Sequence, residues 1–151
     1  MAQLRVEAEA VSQAAPEAVW PLVSNADRYS QWGPWSASGY TSTGDPRGVG
    51  AIRWMQLGRT RTVERVLAAD SPRRLVYTVV KGIPVRNYRA EVTLTPAGDG
   101  THIRWTATWD RTLGGRIVHR TLRTLYPAMI AQLAAAADHG VPASPGTHRA
   151  G

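Results

Sequence analysis

Alternating apolar and polar residues open the chain. Over residues 3–11 (QLRVEAEAV), Leu4, Val6, Ala8 and Ala10 share one side, while mostly charged residues take the other. A period of two is typical of a strand with one buried face. This segment is therefore predicted to be the first strand of a sheet.

The pattern of the next segment, 14–32, favours short helices. Pro16 suits a first helical turn, and Val19 and Leu22 supply an apolar face. Pro21 must shorten or kink this helix, because it has no N–H and its ring clashes with the preceding turn. We expect a second short helix to follow and to end near Trp32.

Strand patterns then recur as far as residue 110. They comprise a weak strand at 36–43 and stronger strands at 51–57, 60–68, 74–80, 85–96 and 101–110. The turn sequences LGR, DSPR, KGIP and AGDG separate the last five. Short connections of this kind predict an antiparallel meander.

From Gly114 the apolar period becomes helical. The apolar stripe consists of Val118, Leu122, Leu125, Met129 and Leu133. Gly140 suits a left-handed helix end. Because the helices do not alternate with strands, the long helix must cover the one apolar face of the sheet. A strongly bent sheet cannot touch that helix everywhere, so a cavity is expected between them.

Length and composition limit the remaining possibilities. The 151 residues fit one domain, predicted at 1–140, followed by a disordered tail at 141–151 that is rich in Pro and Gly. The chain has no Cys, which excludes disulfides and thiolate chemistry. It has no Phe but six Trp and five Tyr, so every large ring carries an N–H or O–H that needs a partner when buried.

Charge and targeting signals exclude several partners. The net charge is +7, yet Lys81 is the lone lysine and the arginines are scattered without a run of four. This scatter argues against nucleic acid or an anionic membrane as a partner. The start of the chain lacks a signal-peptide pattern, and no apolar stretch is long enough to span a membrane. A cytoplasmic protein without stable membrane insertion is expected.

Several segments of the sequence resemble those of the START-like superfamily SRPBCC, and within it those of the bacterial polyketide cyclase/dehydrase-type proteins. They are APEAVWPLVSNADRYSQWGPW, GVGAIRW, ERVLAADSPRRLVYTV and YRAEVTLTPAGDGTHIRWTATW, together with the closing amphipathic helix. The resemblance implies an α+β helix-grip fold, in which a curved antiparallel sheet of about seven strands wraps around the C-terminal helix. Members include aromatase–cyclases of natural product biosynthesis and carriers of lipids, so the fold does not define the chemistry.

Strand alternation nominates candidate catalytic residues. If the more apolar set of each strand faces the long helix, the inner wall gathers Glu64, Tyr77, Arg86 and Tyr88. Apolar surroundings would raise the pKa of a carboxyl group toward the range useful in acid–base catalysis. The facing of strands 51–57 and 60–68 is ambiguous, and a Glu followed by Arg in a strand is more often a solvated cross-strand ion pair than a catalyst, so that interpretation of Glu64 stays open. A surface position for Arg86, which lies beside the KGIP turn, also stays open.

The predicted ligand-binding wall is largely aromatic and aliphatic. It consists of Trp32, Trp35, Trp54, Trp105, Val118, Leu122, Leu125 and Met129. Two of these, Trp32 and Trp35, flank Gly33 and Pro34, where they would either cover the cavity mouth or anchor a loop. The four histidines lack a metal-ligand spacing, and neither a metal nor a cofactor is required.

Three functions are compatible with these residues. The first is a cofactor-independent cyclase, aromatase or dehydrase acting on a hydrophobic or aromatic small molecule. The second is a non-catalytic carrier or sensor of a hydrophobic ligand or lipid, in which the same polar groups orient the ligand. The third is an interaction module with a vestigial cavity. The protein is expected to be a monomer or homodimer.

Overall fold

Seven antiparallel strands form one sheet in the computed structural model, which describes residues 2–140. The strands are β1 (Gln3–Ser12), β2 (Ala37–Ser42), β3 (Ile52–Leu57), β4 (Thr60–Asp70), β5 (Arg74–Lys81), β6 (Arg89–Ala97) and β7 (Gly100–Asp110). Their order across the sheet is β1-β7-β6-β5-β4-β3-β2. The first strand therefore pairs with the last, and the chain must cross the whole sheet between β1 and β2.

The edge strand β1 and its neighbour β7 show how alternation of side chains builds the inner face of the sheet. Leu4 and Ala8 of β1 lie opposite Trp109 and Trp105 of β7. All four side chains are buried, as is Val6 between them, while the alternate residues Arg5 and Glu7 of β1 are exposed. Large rings thus pack beside smaller side chains on one face, as the period of two predicts.

Three short helical segments make the crossing from β1 to β2. They are α1 (Pro16–Ser24), a 3-10 turn (Ala26–Arg28) and α2 (Tyr29–Trp32). Asn25 caps the 3-10 turn by accepting a hydrogen bond from the Asp27 N–H at 3.0 Å. Because α1 packs against β6 and the long C-terminal helix, the crossing closes one end of the inner face. The two predicted helices are confirmed.

The long helix α3 (Leu113–His139) lies over the inner face of the sheet. At its start, Thr112 Oγ1 accepts a hydrogen bond from the Gly115 N–H at 2.9 Å. Gly140 ends it with φ 66°, the left-handed conformation expected of a C-terminal glycine. The sheet and helix together form the predicted helix-grip architecture.

Both ends of α3 are tied to the sheet by side chains. The Asp138 carboxylate accepts hydrogen bonds from the Ser12 hydroxyl at 2.6 Å and from the Gln13 N–H at 2.7 Å. At the other end, Trp109 Nε1 donates to the Gly115 carbonyl at 2.9 Å. A Cβ at Gly115 would lie 2.6 Å from the Asp110 carbonyl oxygen, so only glycine permits this approach.

Most strand boundaries lie within two residues of the predicted ones, and the largest difference is at the start of β6. β6 begins at Arg89 rather than at Val85, because Asn87 adopts φ 54° and interrupts the extended backbone. Its side-chain amide donates to Asp110 at 2.7 Å, which holds residues 82–88 as a loop beside the start of α3. The predicted tail at 141–151 lies outside the described residues. Within 2–140, no helix is long and apolar enough to cross a membrane.

The tie at Asp138 generates a prediction about pH. Hydrogen bonds from Ser12 and the Gln13 N–H lower the pKa of Asp138 in the folded protein. The stabilisation is therefore complete above the unfolded-state pKa and is lost as the pH falls through the lower folded-state pKa. Asp138→Asn should lower the free energy of unfolding in urea near neutral pH, and the difference from wild type should shrink in acid. Asp99→Asn, in the exposed β6–β7 turn, is the control that should change neither quantity.

Candidate functional site

A cavity of about 270 Å3 lies between the inner face of the sheet and α3. Most of its wall is apolar: Trp35, Met55, Leu57, Val79, Ile83, Trp105, Val118, Leu122, Leu125 and Met129. Its exposed lining residues, Thr60, Pro84, Ile117 and Thr121, mark the mouth of the cavity. The enclosed, apolar lining is typical of a small-molecule site.

A cluster of three tyrosines lines one part of the cavity. Tyr77 accepts a hydrogen bond from Trp105 Nε1 at 3.0 Å, and the hydroxyl groups of Tyr88 and Tyr126 are hydrogen-bonded to each other. Burial raises the pKa of all three well above the ordinary value. Each hydroxyl therefore keeps its proton near neutral pH and can serve as a hydrogen-bond donor.

Glu64 is the carboxyl group of the cavity wall. It lies on β4 directly opposite Arg53 of β3, so cross-strand neighbours share the inner face. Arg53 Nε donates to Glu64 Oε1 at 2.9 Å, and Arg53 itself is fully buried. The Glu64 side chain is 11% exposed and lines the cavity. Its second oxygen, Oε2, takes no hydrogen bond from any described residue.

The Arg53 guanidinium is held between two aromatic rings. Its central carbon lies 4.9 Å from the ring centroid of Tyr29 and 4.6 Å from that of Tyr77. Nη1 donates to the Val23 carbonyl at 3.3 Å, while Nη2 is buried without a partner among the described residues. The rings stabilise the cation where water is excluded, and they fix the orientation of its hydrogen bond to Glu64.

Two opposing effects act on the Glu64 carboxyl group. Burial raises its pKa above the ordinary value, and the nearby Arg53 charge and hydrogen bond offset part of that rise. Burial thus favours the protonated form of the Glu64 carboxyl group, while Arg53 favours its ionised form. Such an environment is the one in which a carboxyl group can take and return protons at moderate pH.

Most of the predicted site residues meet at this cavity. Glu64, Tyr77 and Tyr88 line it, as do Trp35, Trp105, Val118, Leu122, Leu125 and Met129. The ambiguous facing of β4 is decided by the structure in favour of an inward Glu64, which is buried with Val66 on the same side. Trp35 is half-buried at the wall and packs at a tilt against Tyr29, with ring centroids 5.2 Å apart.

Three of the predicted site residues, Trp54, Arg86 and Trp32, do not line the cavity. Trp54 faces the outer side of the sheet, where Arg61 covers its ring at 4.0 Å, because the alternation of β3 turns Arg53 and Met55 inward. Arg86 is exposed, since the loop at Asn87 breaks the alternation from which its inward position was inferred.

Trp32 is the third. It is buried in the core, and its Nε1 donates to the Leu22 carbonyl at 2.8 Å. It packs edge-on against Trp35 with ring centroids 5.3 Å apart and does not line the cavity. Of the two roles left open for this tryptophan, the structure favours anchoring the segment between α2 and β2.

Two polar residues of the cluster were missed from the sequence. Arg53 is not among the predicted residues, because the facing of β3 is ambiguous in the sequence and an inward Trp54 places Arg53 outside. Met55 on the same side of β3 and Glu64 on the neighbouring strand are the signals that favour an inward Arg53, although a fully buried arginine is rare. Tyr126 falls beside the apolar stripe of α3, where no pattern in the sequence distinguishes it, and its hydroxyl contact with Tyr88 depends on tertiary packing. Across residues 2–140, no group of three His, Asp or Glu side chains is placed to hold a metal ion.

The buried ion pair generates a stability prediction. Arg53→Met leaves Glu64 buried without its partner, and the free energy of unfolding should fall by about 3–5 kcal/mol. The pKa of Glu64 then rises further in the folded state, so the loss should be larger at alkaline pH and smaller in mild acid, where the carboxyl group is protonated. Urea denaturation at several pH values measures both effects. The double variant Arg53→Met, Glu64→Leu should recover most of the stability, and an equal loss in the double variant would contradict this account.

Solved structures share this architecture. A protein from Thermobifida fusca is 26% identical, with a TM-score of 0.73 over 89% of this chain and 93% of its own. A protein from Nitrosospira multiformis is 22% identical, with a TM-score of 0.73 over 88% of this chain and 95% of its own. A third, from Mesorhizobium loti, is 19% identical, with a TM-score of 0.73 over 91% and 98% of the two chains.

Sequence comparison identifies the family. A search of curated protein sequences gives no match. The profile of the family described as polyketide cyclase / dehydrase and lipid transport, however, matches residues 3–138, which include every strand and all but the last residue of α3. The expected START-like superfamily is confirmed, and with it a fold that binds hydrophobic ligands. The chain belongs to the polyketide cyclase/dehydrase and lipid transport family.

Proposed function

We propose that the protein is a cofactor-independent enzyme of the cyclase, aromatase or dehydrase type, which acts on a small apolar or aromatic substrate in the cavity. The observation that carries this proposal is Glu64, the carboxyl group on a largely apolar cavity wall, with one oxygen held by Arg53. The family description supports a hydrophobic ligand for this fold. We also propose that the protein acts in natural product biosynthesis, in the cytoplasm of a bacterium.

The cavity limits the substrate. Its volume of about 270 Å3 is near the lower end of small-molecule sites, which begin at about 300 Å3. Trp105 and Trp35 provide aromatic surface for a planar ring, and the stripe of α3 provides aliphatic surface opposite. A compact ligand with one or two carbonyl or hydroxyl groups would bury its carbon skeleton and direct its polar groups toward Glu64 and the tyrosines.

Glu64 can act as a proton shuttle in an aldol-type ring closure. Its carboxylate takes a proton from a carbon beside a carbonyl group, and the enolate carbon then bonds to a second carbonyl carbon of the same molecule. The alkoxide formed by that attack takes the proton back from the Glu64 carboxyl group. Glu64 is returned as a carboxylate, and no oxidant or reductant is consumed.

Dehydration uses the same group. The Glu64 carboxylate removes a second proton from the carbon next to the carbonyl, and the neighbouring C–O bond breaks to form a double bond. The departing hydroxide takes the proton from Glu64 and leaves as water. Tyr77, Tyr88 and Tyr126 keep their protons because burial raises the pKa of each hydroxyl. Tyr77, whose hydroxyl accepts from Trp105, and one hydroxyl of the Tyr88–Tyr126 pair can therefore donate to the oxygen on which charge develops.

A second function is favoured by a different observation. The hydroxyl groups of Tyr77, Tyr88 and Tyr126 and one oxygen of Glu64 already have protein partners. Groups satisfied in this way can orient a ligand without taking part in a reaction. The protein would then be a carrier or sensor of a hydrophobic molecule, with the same cavity and the same binding residues.

Filling the cavity should abolish binding under either function. Leu125→Trp adds a large ring to the half-buried wall of α3 and should weaken binding of the neutral probe 2-naphthol by about tenfold or more. Isothermal titration calorimetry measures the affinity. Thr124→Trp adds the same ring at the adjacent exposed position and should bind as wild type does. Equal affinities for both variants would place the probe outside the cavity.

Turnover separates the enzyme from the carrier. Native mass spectrometry of protein purified from its own host should identify a retained molecule, whose conversion is then followed with wild type, Glu64→Gln and the outer-face control Glu91→Gln. Loss of general acid–base catalysis should slow Glu64→Gln by about 10²- to 10⁴-fold. Wild-type kcat/KM should rise with pH through a pKa above that of an ordinary Glu, because the carboxylate is the active base. Equal rates for wild type and Glu64→Gln would support the carrier.

A further inference from the structure

The first turns of α3 carry a basic face. Arg116, Arg120 and Arg123 are exposed there, and none of them makes an ion pair with a described residue. From Leu113 to Ala137 the helix contains no Asp or Glu. The arginines look scattered in the sequence, but the helix gathers them on one side. Their combined charge is therefore not neutralised by acidic residues of the same helix.

Two apolar side chains project from the same side. Leu113 is 79% exposed and Ile117 is 61% exposed, which is unusual for large aliphatic residues on a helix with a well-covered inner stripe. With about 3.6 residues per turn, these two and the three arginines fall within an arc of about 120°. We call this surface, formed by Leu113, Arg116, Ile117, Arg120 and Arg123, the basic-apolar face.

The basic-apolar face borders the cavity mouth. Ile117 belongs to both, and Gly114 lies so close to Pro84 at the mouth that an added Cβ would be 2.8 Å from the proline ring. The loop that contains Pro84 also brings exposed Arg86 to the start of α3, since the Arg86 carbonyl accepts from the Asp110 N–H at 2.9 Å. Positive charge and apolar surface thus adjoin the opening through which a ligand enters.

We propose that the basic-apolar face docks the protein peripherally on an anionic lipid bilayer, with the cavity mouth turned toward the lipid. Exposed aliphatic side chains flanked by arginines are the composition of helices that lie in a membrane interface. The arginines contact anionic headgroups, while Leu113 and Ile117 reach the boundary of the acyl chains. An apolar ligand that partitions into lipid can then enter the cavity without crossing water.

Shape favours a bilayer over an acidic protein as the partner. Leu113 and Ile117 protrude from the helix, and a fluid interface accepts protruding side chains without a complementary recess. A protein partner would need a matching pocket for each of them. The docking does not require the proposed proton chemistry, because it concerns how a ligand reaches the cavity.

Vesicle sedimentation with the full chain tests the proposal. The protein should bind vesicles made of equal parts phosphatidylcholine and phosphatidylglycerol, and bind vesicles of phosphatidylcholine alone much more weakly. Reversing three charges in Arg116→Glu, Arg120→Glu, Arg123→Glu should lower the affinity by about a hundredfold or more. The single variant Leu113→Ser should also bind anionic vesicles less tightly than wild type does. This loss of affinity should be larger at high salt, where the electrostatic attraction is screened.

A matched triple variant distinguishes a docking face from net charge. Arg47→Glu, Arg65→Glu, Arg73→Glu changes the same number of exposed arginines outside α3, away from the residues that mark the cavity mouth, and should retain most of the binding. An equal loss in both triple variants, or no binding of wild type to the anionic vesicles, would overturn the proposal. Both triple variants should bind 2-naphthol as wild type does, so a failure of docking is separable from a failure of the cavity.

Discussion

The structure depends on the attachment of one helix to one sheet at two points. Asp138 holds the last turn of α3 to the end of β1, and Trp109 holds its first turn through the Gly115 carbonyl. A helix held to the sheet at both ends does not follow the curvature of the sheet between them, and the space beneath part of α3 stays open as the cavity. The cavity is therefore a consequence of the two attachments of α3 to the sheet. Its apolar wall is the part of the core that the helix does not fill.

The buried cluster at Arg53 and Glu64 gives this cavity its polarity. Moving two charges out of water costs several kcal/mol for each ion, and the pair repays this only where its geometry and hydrogen bonds are good. Here the rings of Tyr29 and Tyr77 enclose the cation, and Arg53 Nε holds one carboxylate oxygen. An apolar pair at these positions would suit stability at least as well. The retention of charge on the cavity wall is thus an argument for a role in ligand recognition or chemistry.

The cavity and the basic-apolar face address two parts of one problem. A molecule apolar enough to prefer the cavity is poorly soluble in water, so the route to the binding site matters as much as the affinity. Ile117 belongs both to the cavity mouth and to the exposed side of α3. A surface that brings the mouth to a lipid interface would shorten that route, whether the ligand is then converted or only carried.

The sequence by itself determined the architecture. The period of two in β1 and β7 and the helical stripe of α3 are local repeats, and each needs only one apolar face to be interpreted. The same repeats identified part of the cavity wall, including Trp105 and the stripe of α3, but not Tyr126. The sequence does not determine which side of a strand faces inward where both sides carry mixed residues. On β3 either Arg53 or Trp54 could face the inside of the sheet, and hydropathy alone favours Trp54, although Arg53 is the buried one. Tertiary structure decided it, because Glu64 and two tyrosine rings stabilise an arginine that no local pattern would bury. Arg86 was displaced by the backbone turn at Asn87. The helical period places the arginines of α3 on one side, but only the packing of α3 on the sheet left that side exposed beside the cavity mouth, since contacts between distant segments are absent from any local period.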